Sequence, residues 1–495
     1  MTVLPAMPPT DIGFENGDDK LHEECAVFGI FGHADAGRLA VLGLHALQHR
    51  GQEASGIVTY DNGQFMAERH TGLVGDIFGA KHAGRVENLK GDFAIGHNRY
   101  STAGGSRAAN IQPMFADLAG GGIALAHNGN LTNARILREE LVREGAIFQS
   151  TSDTEVIIHL AARSKFGPVV NRLIDALKQV TGAYSLVALT SKKLIGARDP
   201  WGVRPLVLGE LDGAPILASE TCALDIIGAS FVRDVEPGEM VVITKDGIES
   251  YRPFNKQPHR FCVFEYIYFA RPDSMVEGRN VYEMRKRAGK ELAREAKADA
   301  DIVVAVPDSS IPAALGYAEA SGLPFELGII RNHYVGRTFI EPTDGIRHFG
   351  VRRKHNPNRA TLKGKRVVLI DDSIVRGTTS KKIVQMVRDA GAAEVHFRVA
   401  SPPTAHSCFY GVDTPNTADL LAHGMDVEEM RRFIEADSLA FISMDGLYRA
   451  MGEKGRNERE PAFCDACFSG AYPITLPDIS GGKRDGQLSL LADVA

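Results

Sequence analysis

The chain has 495 residues and a formal net charge of -6, with 44% hydrophobic and 24% charged residues. This length exceeds what one hydrophobic core usually supports, so we expect two or more domains. The negative charge argues against a nucleic-acid-binding protein, and no run approaches the ~18 apolar residues of a membrane span, so the composition is that of a soluble protein.

The first 24 residues form an acidic leader with six carboxylates and a single lysine. A secretory signal needs a basic start and an apolar centre, and a transit peptide is rich in arginine and poor in acid. The leader matches neither pattern, which favours a cytoplasmic location. It is either a disordered extension or a propeptide that ends before Cys25.

From Cys25 to about Thr244, short β-rich runs alternate with amphipathic helices. Helices are predicted at 39–47, where apolar residues share one helical face, and at 153–161, with Asp153 at or near the start. A segment containing Pro, Lys and Arg at 251–260 marks a domain boundary. The predicted strands are 26–31, 123–126, 186–189 and 240–243.

Cys25 opens the first predicted strand. If the leader is removed, the thiol and a free α-amine share one residue, and an amine that titrates near pH ~7.7–8.0 can take the thiol proton. Without cleavage Cys25 has no such base. A lone cysteine is more often structural, so the other segments decide its role.

Attack of a thiolate on a carboxamide builds an oxyanion, which needs two preorganised N–H donors. The side chain of Asn128 and the backbone of Gly129 can provide them, although Asn-Gly by itself is usually a hairpin turn. The α-carboxylate of glutamine calls for a guanidinium, and its α-amine calls for a carboxylate. Arg99 and Asp153 fit these two roles.

Together with 47–56 and 198–206, these segments resemble the N-terminal-nucleophile (Ntn) glutaminase domain shared by several amidotransferases. The resemblance implies an αββα sandwich in which Cys25 is the nucleophile. Segment 198–206 is read either as part of that site or as a structural turn beside it.

The second half consists of βα units. Strands are predicted at 302–306, 325–330, 367–370 and 395–399, with helices at 311–320 and before Gly391, which suits a helix C-cap. Strand, loop, helix and strand in this order imply a parallel sheet with binding sites at the carboxyl ends of its strands.

Segment 367–379 is the most informative run in the chain. Asp371 and Asp372 follow a buried strand and can accept hydrogen bonds from vicinal sugar hydroxyls, directly or through hydrated Mg²⁺. The residues after them open a helix, where backbone N–H groups and hydroxyls favour a phosphate. These residues are Arg376, Gly377, Thr378 and Thr379. An ordinary βα turn is the plainer alternative.

Segment 367–379 resembles the phosphoribosyl pyrophosphate (PRPP) motif of type I phosphoribosyltransferases. The resemblance implies that Asp371 and Asp372 bracket the ribose hydroxyls, and that 372–379, with Ser373, hold the 5′-phosphate. It also implies that 307–310 hold pyrophosphate and metal, with Ser309 at the metal-linked position. Taken alone, Pro-Asp-Ser-Ser is more often a plain turn.

A basic connection precedes the loop at 331–354. It is either a solvated linker or a cover that closes over substrate and neutralises the charge on leaving pyrophosphate, with Arg337 as a PRPP ligand. Its basic residues are Arg331, Arg337, Arg352, Arg353 and Lys354.

Six cysteines are too few for a disulfide scaffold in a chain of this length. Cys464 and Cys467 form a C-x₂-C pair, which suggests zinc, iron–sulfur or redox chemistry without deciding among them. Cys262 and Cys408 can complete a set of four only if the C-terminal segment folds back. Cys222 is expected to be a packed core thiol.

With both domains in this order, residues 25–470 resemble the glutamine–PRPP amidotransferase family. The resemblance implies hydrolysis of glutamine and transfer of ammonia to C1 of PRPP, which gives 5-phosphoribosylamine, glutamate and pyrophosphate at the first step of de novo purine synthesis. It also implies one Mg²⁺ per subunit at Ser309, Asp371 and Asp372, feedback inhibition by purine nucleotides, and a homotetramer.

The iron–sulfur branch of this family has cysteines in the four contexts found here. The resemblance therefore implies one [4Fe–4S] cluster per subunit, held by Cys262, Cys408, Cys464 and Cys467, with zinc as the alternative. The expected domains are a propeptide at 1–24, an Ntn glutaminase at 25–255, a phosphoribosyltransferase at 256–470 and a flexible tail at 471–495.

Two other functions remain open at this point. A non-enzymatic PRPP sensor would leave Cys25, Arg99, Asn128 and Asp153 without a purpose. A synthetase that joins the glutaminase to ATP would need a nucleotide-triphosphate motif, which this sequence lacks.

Overall fold

A computed structural model describes residues 22–23, 25–100, 108–332 and 355–480. The strands of the amino-terminal half are β1 His22–Glu23, β2 Cys25–Phe31, β3 Ala54–Asp61, β4 Gln64–Thr71, β5 Phe93–Arg99, β6 Met114–Leu118, β7 Gly121–Leu131, β8 Gly182–Thr190, β9 Leu194–Arg198, β10 Val207–Leu211, β11 Ala214–Ala218, β12 Ser230–Asp234, β13 Met240–Thr244 and β14 Gly247–Tyr251. Its helices are α1 Ala36–Ala46, α2 Val74–Phe78, α3 Ala83–Asn88, α4 Ala134–Arg143, α5 Thr154–Arg163, α6 Val169–Leu177 and α7 Cys222–Ile227.

The amino-terminal half is a sandwich of two antiparallel sheets. Their strand orders are β12-β10-β11-β2-β5-β3-β4 and β14-β13-β9-β8-β7-β6. Helices α1 and α7 cover the first sheet, and α5 and α6 cover the second. The predicted αββα sandwich is confirmed.

Strand β2 shows why the strands of this half have continuously apolar sequences and do not alternate between apolar and polar residues. Ala26, Phe28 and Ile30 pack under the helices, whereas Val27 and Phe31 pack between the two sheets. Side chains of a strand point alternately to its two faces, so a strand covered on both faces is apolar at every position.

The strands of the carboxyl-terminal half are β15 Phe261–Cys262, β16 Met275–Val276, β17 Arg279–Asn280, β18 Ile302–Ala305, β19 Ile329–Arg331, β20 His355–Pro357, β21 Arg366–Asp371, β22 Glu394–Val399, β23 Val412–Asp413, β24 Ser438–Phe441 and β25 Phe463–Cys464. Its helices are α8 Val281–Glu295, α9 Ile311–Ser321, α10 Arg359–Leu362, α11 Thr378–Asp389, α12 Leu421–Gly424, α13 Val427–Ile434, α14 Met444–Ala450, α15 Ala466–Ser469 and α16 Pro477–Ser480.

Strands β18, β21, β22 and β24 form the predicted parallel sheet, with β21 in its interior. Two apolar clusters cover it, one containing residues of α8 and α9 and the other residues of α11 and α13. The predicted strand at 325–330 differs from the structure. Phe325 makes only an isolated bridge to Val303, and β19 pairs antiparallel with β20 instead. Between Phe325 and β19 lies Gly328, where a Cβ would be 2.7 Å from the side chain of Val304.

A short pairing between β1 and β23 joins the two halves. Within the carboxyl-terminal half, β15 pairs with β25. Residues 471–480 also differ from the flexible tail expected there: Asp478 accepts hydrogen bonds from the backbone N–H groups of Arg135 and Ile136, and Ile474 is buried. In the described parts of the chain, none of the helices has the length and apolar character needed to cross a membrane.

Candidate active sites

Cys25 is the first residue of β2 and is buried, with 8% of its surface exposed. Its partner in the antiparallel register is Arg99, the last residue of β5. Arg99 also lies opposite Ala54 at the start of β3 and is nearly buried. Cys25, the predicted nucleophile, and Arg99, predicted to bind the α-carboxylate of glutamine, therefore lie together at one end of the first sheet.

A hydrogen bond between two histidines connects the second sheet to the end of the first sheet where Cys25 and Arg99 lie. His97, two residues before Arg99, donates from Nε2 to the carbonyl of His127 at 3.1 Å. Burial, reinforced by the charge of Arg99, lowers the pKa of His97 to about 3, so the ring is neutral and its Nε2 carries the proton. Asn128 follows His127 directly, which places the predicted oxyanion strand β7 beside β5.

Asn128 is fully buried, and neither its Nδ2 nor its Oδ1 has a hydrogen-bond partner within the described ranges. A buried amide without partners costs about 1–3 kcal/mol, so native structures seldom keep one unless it serves a ligand. Gly129 has φ +136, and a Cβ there would lie 2.1 Å from the carbonyl oxygen of Ala183. Only glycine fits this position.

Asp153 stands immediately before α5, as predicted. Its Oδ2 accepts a hydrogen bond from the N–H of Leu131 at 3.0 Å, and its Oδ1 lies 3.7 Å from Nδ1 of His127. A cleft of about 310 Å³ opens beside it. Asp153, Asn130 and Phe409 line this cleft, so residues of both halves form it.

Glu155 fixes the loop that leads into Asp153. Its carboxylate accepts hydrogen bonds from the N–H groups of Gln149 and Ser150, and from the hydroxyl of Ser150. Burial alone would raise the pKa of Glu155, but hydrogen bonds from His159 and from this loop outweigh it and lower the pKa to about 2. Glu155 is therefore ionised at neutral pH.

The predicted phosphoribosyl loop follows β21 at the carboxyl end of the parallel sheet. Asp371 and Asp372 are almost fully buried. Ser310 donates to Asp371 at 3.0 Å, and Ser309 donates to Asp372 at 2.5 Å. The structure thus brings together the two segments that the sequence analysis assigned to ribose and pyrophosphate.

The loop ends at Gly377, which has φ +78 and caps α11. A Cβ at this position would lie 2.6 Å from the side chain of Leu421. The backbone N–H groups of Thr378 and Thr379 belong to the first turn of α11, and such groups favour a phosphate. Ser373 is buried against Asp372, whereas Arg376 is exposed.

The basic connection is described only in part. Arg331 donates to Asp308 at 2.7 Å, which places this guanidinium beside the predicted pyrophosphate segment. Arg337, Arg352, Arg353 and Lys354 lie outside the described residues.

The four cysteines expected to bind a cluster lie together. Cys262 and Cys464 are register partners in β15 and β25. Burial raises the pKa of Cys262 to about 12. Burial also raises the pKa values of Cys464 and Cys467, and the charges of Cys262 and Cys408 raise them further. Cys408 and Cys467 pack against the apolar cluster that contains Cys262 and Cys464. Within the described ranges, no group of three or more His, Cys, Asp or Glu side chains is arranged to hold a metal ion.

Cys222 packs in the core under the first sheet, as predicted. Segment 198–206 is a structural turn: the buried Arg198 donates to the carbonyls of Arg204, Val235 and Gly202.

A buried charge network between the halves was not predicted from the sequence. Arg50 is fully buried and pairs with Glu220 and Glu265, and Arg204 pairs with Glu265 at 3.3 Å. Glu265 begins a π-helix, Glu265–Phe269. Local spacing in the sequence does not reveal the pairs of Arg50, because Arg50 lies 170 positions from Glu220 and 215 positions from Glu265.

Arg285 was also missed. It donates to the carbonyls of Tyr266 and Ala270, and burial lowers its pKa to about 10, while the nearby charge of Asp372 acts in the opposite direction. One signal was available: Arg285 sits on the buried face of α8, next to Met284 and Ala288.

Comparison with known proteins agrees with this two-part construction. A glutamine amidotransferase domain model matches residues 97–225, and a phosphoribosyl transferase domain model matches residues 275–402. The fold and the sites thus define a glutamine amidotransferase joined to a phosphoribosyltransferase.

Similar proteins of known name identify the particular family within this class. The chain is 59% identical to the amidophosphoribosyltransferase of Rhizobium etli, over 98% of both chains. It is 51% identical to the chloroplastic amidophosphoribosyltransferase 1 of Arabidopsis thaliana, over 97% of this chain and 84% of that one. A solved glutamine PRPP amidotransferase from Bacillus subtilis, complexed with ADP and GMP, is 47% identical with a TM-score of 0.87, over 94% of this chain and 99% of that one.

The chain belongs to the amidophosphoribosyltransferase family. It is therefore a glutamine-dependent phosphoribosyltransferase of purine biosynthesis, as the sequence analysis predicted.

Proposed function

We propose that Cys25 releases ammonia from glutamine and that loop 367–379 binds the PRPP that receives it. The observation that carries the proposal is the buried amide of Asn128, which has no partner among the described residues and lies at the end of the sandwich where Cys25 faces Arg99. The amide of Asn128 is therefore suited to donate a hydrogen bond to an acceptor on a bound ligand.

In the first half-reaction, the α-amine of Cys25 takes the thiol proton, and the sulfur attacks the side-chain carbonyl carbon of glutamine. The oxyanion that forms accepts hydrogen bonds from Asn128 Nδ2 and from the Gly129 N–H. The C–N bond then breaks, the leaving nitrogen takes a proton from the α-amine of Cys25, and water hydrolyses the thioester to glutamate. Arg99 and Asp153 hold the carboxylate and the amine of the substrate. Removal of residues 1–24 exposes the α-amine.

In the second half-reaction, the lone pair of ammonia forms a bond to C1 of PRPP while the C1–O bond to pyrophosphate breaks. Asp371 and Asp372 accept hydrogen bonds from the ribose hydroxyls, and the start of α11 holds the 5′-phosphate. Ser309 and the basic connection, including Arg337, hold the leaving pyrophosphate. The products are 5-phosphoribosylamine, glutamate and pyrophosphate.

We propose two cofactors for this chain. Oxygen ligands suit Mg²⁺, and Ser309, Asp371 and Asp372 present such oxygens side by side. Mg²⁺ bound there supplies positive charge to the diphosphate. We assign a [4Fe–4S] cluster to Cys262, Cys408, Cys464 and Cys467. The four cysteines occupy the sequence contexts found in the iron–sulfur branch of the family, and all four lie in or against one apolar cluster. A single zinc ion is the alternative.

A metal assay separates the two possibilities for the thiols. We expect iron and acid-labile sulfide in equal amounts, about four of each per chain, with broad visible absorbance. Stoichiometric zinc without iron would contradict the cluster assignment. A Cys222→Ser variant should leave the metal content unchanged, because Cys222 lies in a different core.

The solved Bacillus subtilis relative, which is described as complexed with ADP and GMP, supports purine nucleotides as feedback inhibitors of this chain. We extend the proposal to a homotetramer in the cytoplasm. Inhibition assays with adenine and guanine nucleotides, and light scattering of the purified protein, test these two statements.

The central test compares two nitrogen sources. Cys25→Ser should lower glutamine-dependent synthesis of phosphoribosylamine by at least about 10³-fold while ammonia-dependent synthesis persists. Cys222→Ser is the matched control and should retain both activities. Loss of both activities in Cys25→Ser would contradict the nucleophile assignment. Mass spectrometry should find Cys25 at the amino terminus, and an active enzyme with its leader intact would refute the role of the α-amine.

A further inference from the structure

A short segment of the carboxyl-terminal half, residues 409–411, touches the oxyanion strand. Asn130, in β7, donates from Nδ2 to the carbonyl oxygen of Phe409 at 2.9 Å. Phe409 belongs to the same chain segment as Cys408 and lies 279 positions from Asn130. This bond therefore crosses between the two halves of the molecule.

The next contact falls on Gly129 itself. Gly411 has φ +107, and a Cβ there would lie 2.9 Å from the Cα of Gly129 and 3.2 Å from its carbonyl carbon. From another direction, the backbone of Ala183 approaches Gly129 so closely that a Cβ on Gly129 would meet its oxygen at 2.1 Å. Gly129 is thus confined between β8 and segment 409–411.

Segment 409–411 is itself firmly held. The buried Tyr410 donates from its hydroxyl to the carbonyl of Ile474 at 2.6 Å and accepts from the N–H of the same residue at 3.0 Å. On the other side, Val412 and Asp413 form β23. A rigid segment of this kind can fix the strand that it touches.

We propose that segment 409–411 is a positioning element for the oxyanion hole, so that glutamine hydrolysis depends on backbone supplied by the phosphoribosyltransferase half. The inference rests on the proposed roles of Asn128 and Gly129. The N–H of Gly129 stabilises an oxyanion only if the peptide before it points at the reacting carbon, and Gly129 adopts a conformation that its own strand does not enforce. Segment 409–411 confines that peptide.

A displaced oxyanion-hole N–H should change the kinetics of glutamine hydrolysis in a particular way. An error of about 1 Å in the position of a catalytic group can cost about 10²-fold in rate. The oxyanion exists only during reaction, so a displaced N–H lowers kcat for glutamine hydrolysis and leaves KM for glutamine nearly unchanged. Ammonia-dependent synthesis does not use the oxyanion hole and stays the same.

The first test is Gly411→Ala, which forces a methyl group against Gly129. Its control is Gly121→Ala, which has a similar φ of +119 on the same strand as Gly129 but nothing within 4 Å of the new Cβ. We expect kcat for glutamine hydrolysis to fall at least about tenfold in Gly411→Ala only. Equal effects in the two variants, or an equal fall in ammonia-dependent synthesis, would overturn the proposal.

The second test removes the hydrogen bond between Asn130 and Phe409 without adding volume. Asn130→Asp replaces the donor to Phe409 with an acceptor, and Asn133→Asp alters a comparable bond to the carbonyl of Gln179 on the surface. Asn130→Asp should lower kcat with little change in KM, and Asn133→Asp should change neither. An increase in KM alone would assign Asn130 to substrate binding and refute a positioning role.

The Cys25→Ser variant separates failure of this inference from failure of the proposed function. If Cys25→Ser still hydrolyses glutamine, the proposed glutaminase site is wrong. If that variant is inactive while Gly411→Ala and Asn130→Asp behave like their controls, the site is right and segment 409–411 does not position it.

Discussion

The two sites of this chain are built in opposite ways. The phosphoribosyl loop is one continuous segment, 367–379, that follows a single buried strand. The glutamine site is dispersed: Cys25 and Arg99 come from one sheet, Asn128 from the other, and Asp153 from the start of a helix. Loop 367–379 can be recognised from its sequence alone, whereas the glutamine site exists only once the sandwich has closed.

The sites also differ in how their polar groups are satisfied. Asp371 and Asp372 already accept hydrogen bonds from Ser310 and Ser309. Asn128 has no partner within the described ranges. A satisfied group contributes to stability and to function together, whereas an unsatisfied one is retained at a cost to stability. A substitution at the glutamine site should therefore lower activity without lowering stability, whereas a substitution in loop 367–379 should lower both.

The largest effect is expected at the phosphoribosyl loop. Asp372→Asn removes a charge that serves both nitrogen sources, so glutamine- and ammonia-dependent synthesis should each fall about 10³-fold, with some loss of stability. Steady-state assays with both nitrogen sources measure this. Asp301→Asn, at the opposite ends of the strands where Asp301 pairs with Arg366, is the control. Retention of ammonia-dependent synthesis in Asp372→Asn would exclude a role in PRPP binding.

The next largest effect is expected from substitution of Asn128, the proposed donor to the oxyanion. Asn128→Ala should lower glutamine hydrolysis about 10²–10³-fold and leave ammonia-dependent synthesis unchanged. Its free energy of unfolding should not fall by the usual amount for a lost hydrogen bond, because the described structure gives this amide no partner. Chemical denaturation measures that point, with Asn88→Ala on the surface as the activity control. A large loss of stability without loss of hydrolysis would make Asn128 structural.

A smaller effect is expected where the loop enters α11. Gly377→Ala adds a methyl group 2.6 Å from Leu421 and should raise KM for PRPP about tenfold, because the phosphate-binding N–H groups move. Gly322→Ala has the same φ of +78 with nothing within 4 Å, so it carries the conformational cost alone. Similar KM values for the two variants would show that the backbone at Gly377 does not set the phosphate site.

The smallest effect concerns pH and stability beside the glutamine site. The pKa of Glu155 is lowered to about 2 in the folded chain from an ordinary value of 4.5. Its carboxylate therefore stabilises the fold fully above about pH 4.5, and this contribution is lost as the pH falls towards 2. Glu155→Gln should lower the free energy of unfolding by about 1 kcal/mol at pH 7.

Denaturation curves at several pH values test the Glu155 prediction. The difference between wild type and Glu155→Gln should shrink below pH 4.5. Glu144→Gln is the control, because its carboxylate pairs with Arg163 on the surface. A difference that does not vary with pH would contradict the assignment of the lowered pKa to the hydrogen bonds from the 149–150 loop.

Much of the fold follows from local patterns. β2, β7, β8, β21 and β22 were all predicted as strands, because strands covered on both faces are apolar along their length. The strand predicted at 325–330 is present only from Ile329 onward, because an apolar run reports burial and not pairing. Residues 471–480 were expected to be flexible because their composition is that of a tail, yet Asp478 binds the start of α4.

The sequence alone was enough to predict loop 367–379 as a phosphoribosyl site, because its chemistry depends on neighbours along the chain. It also supplied Cys25, Arg99, Asn128 and Asp153 as candidates through resemblance. The tertiary structure decided what lies between the sites: the buried Arg50 network, Arg285 beside Asp372, and the contact of Gly411 with Gly129. Contacts between residues far apart along the chain leave no periodic signal in a sequence, because only the folded backbone sets their spacing.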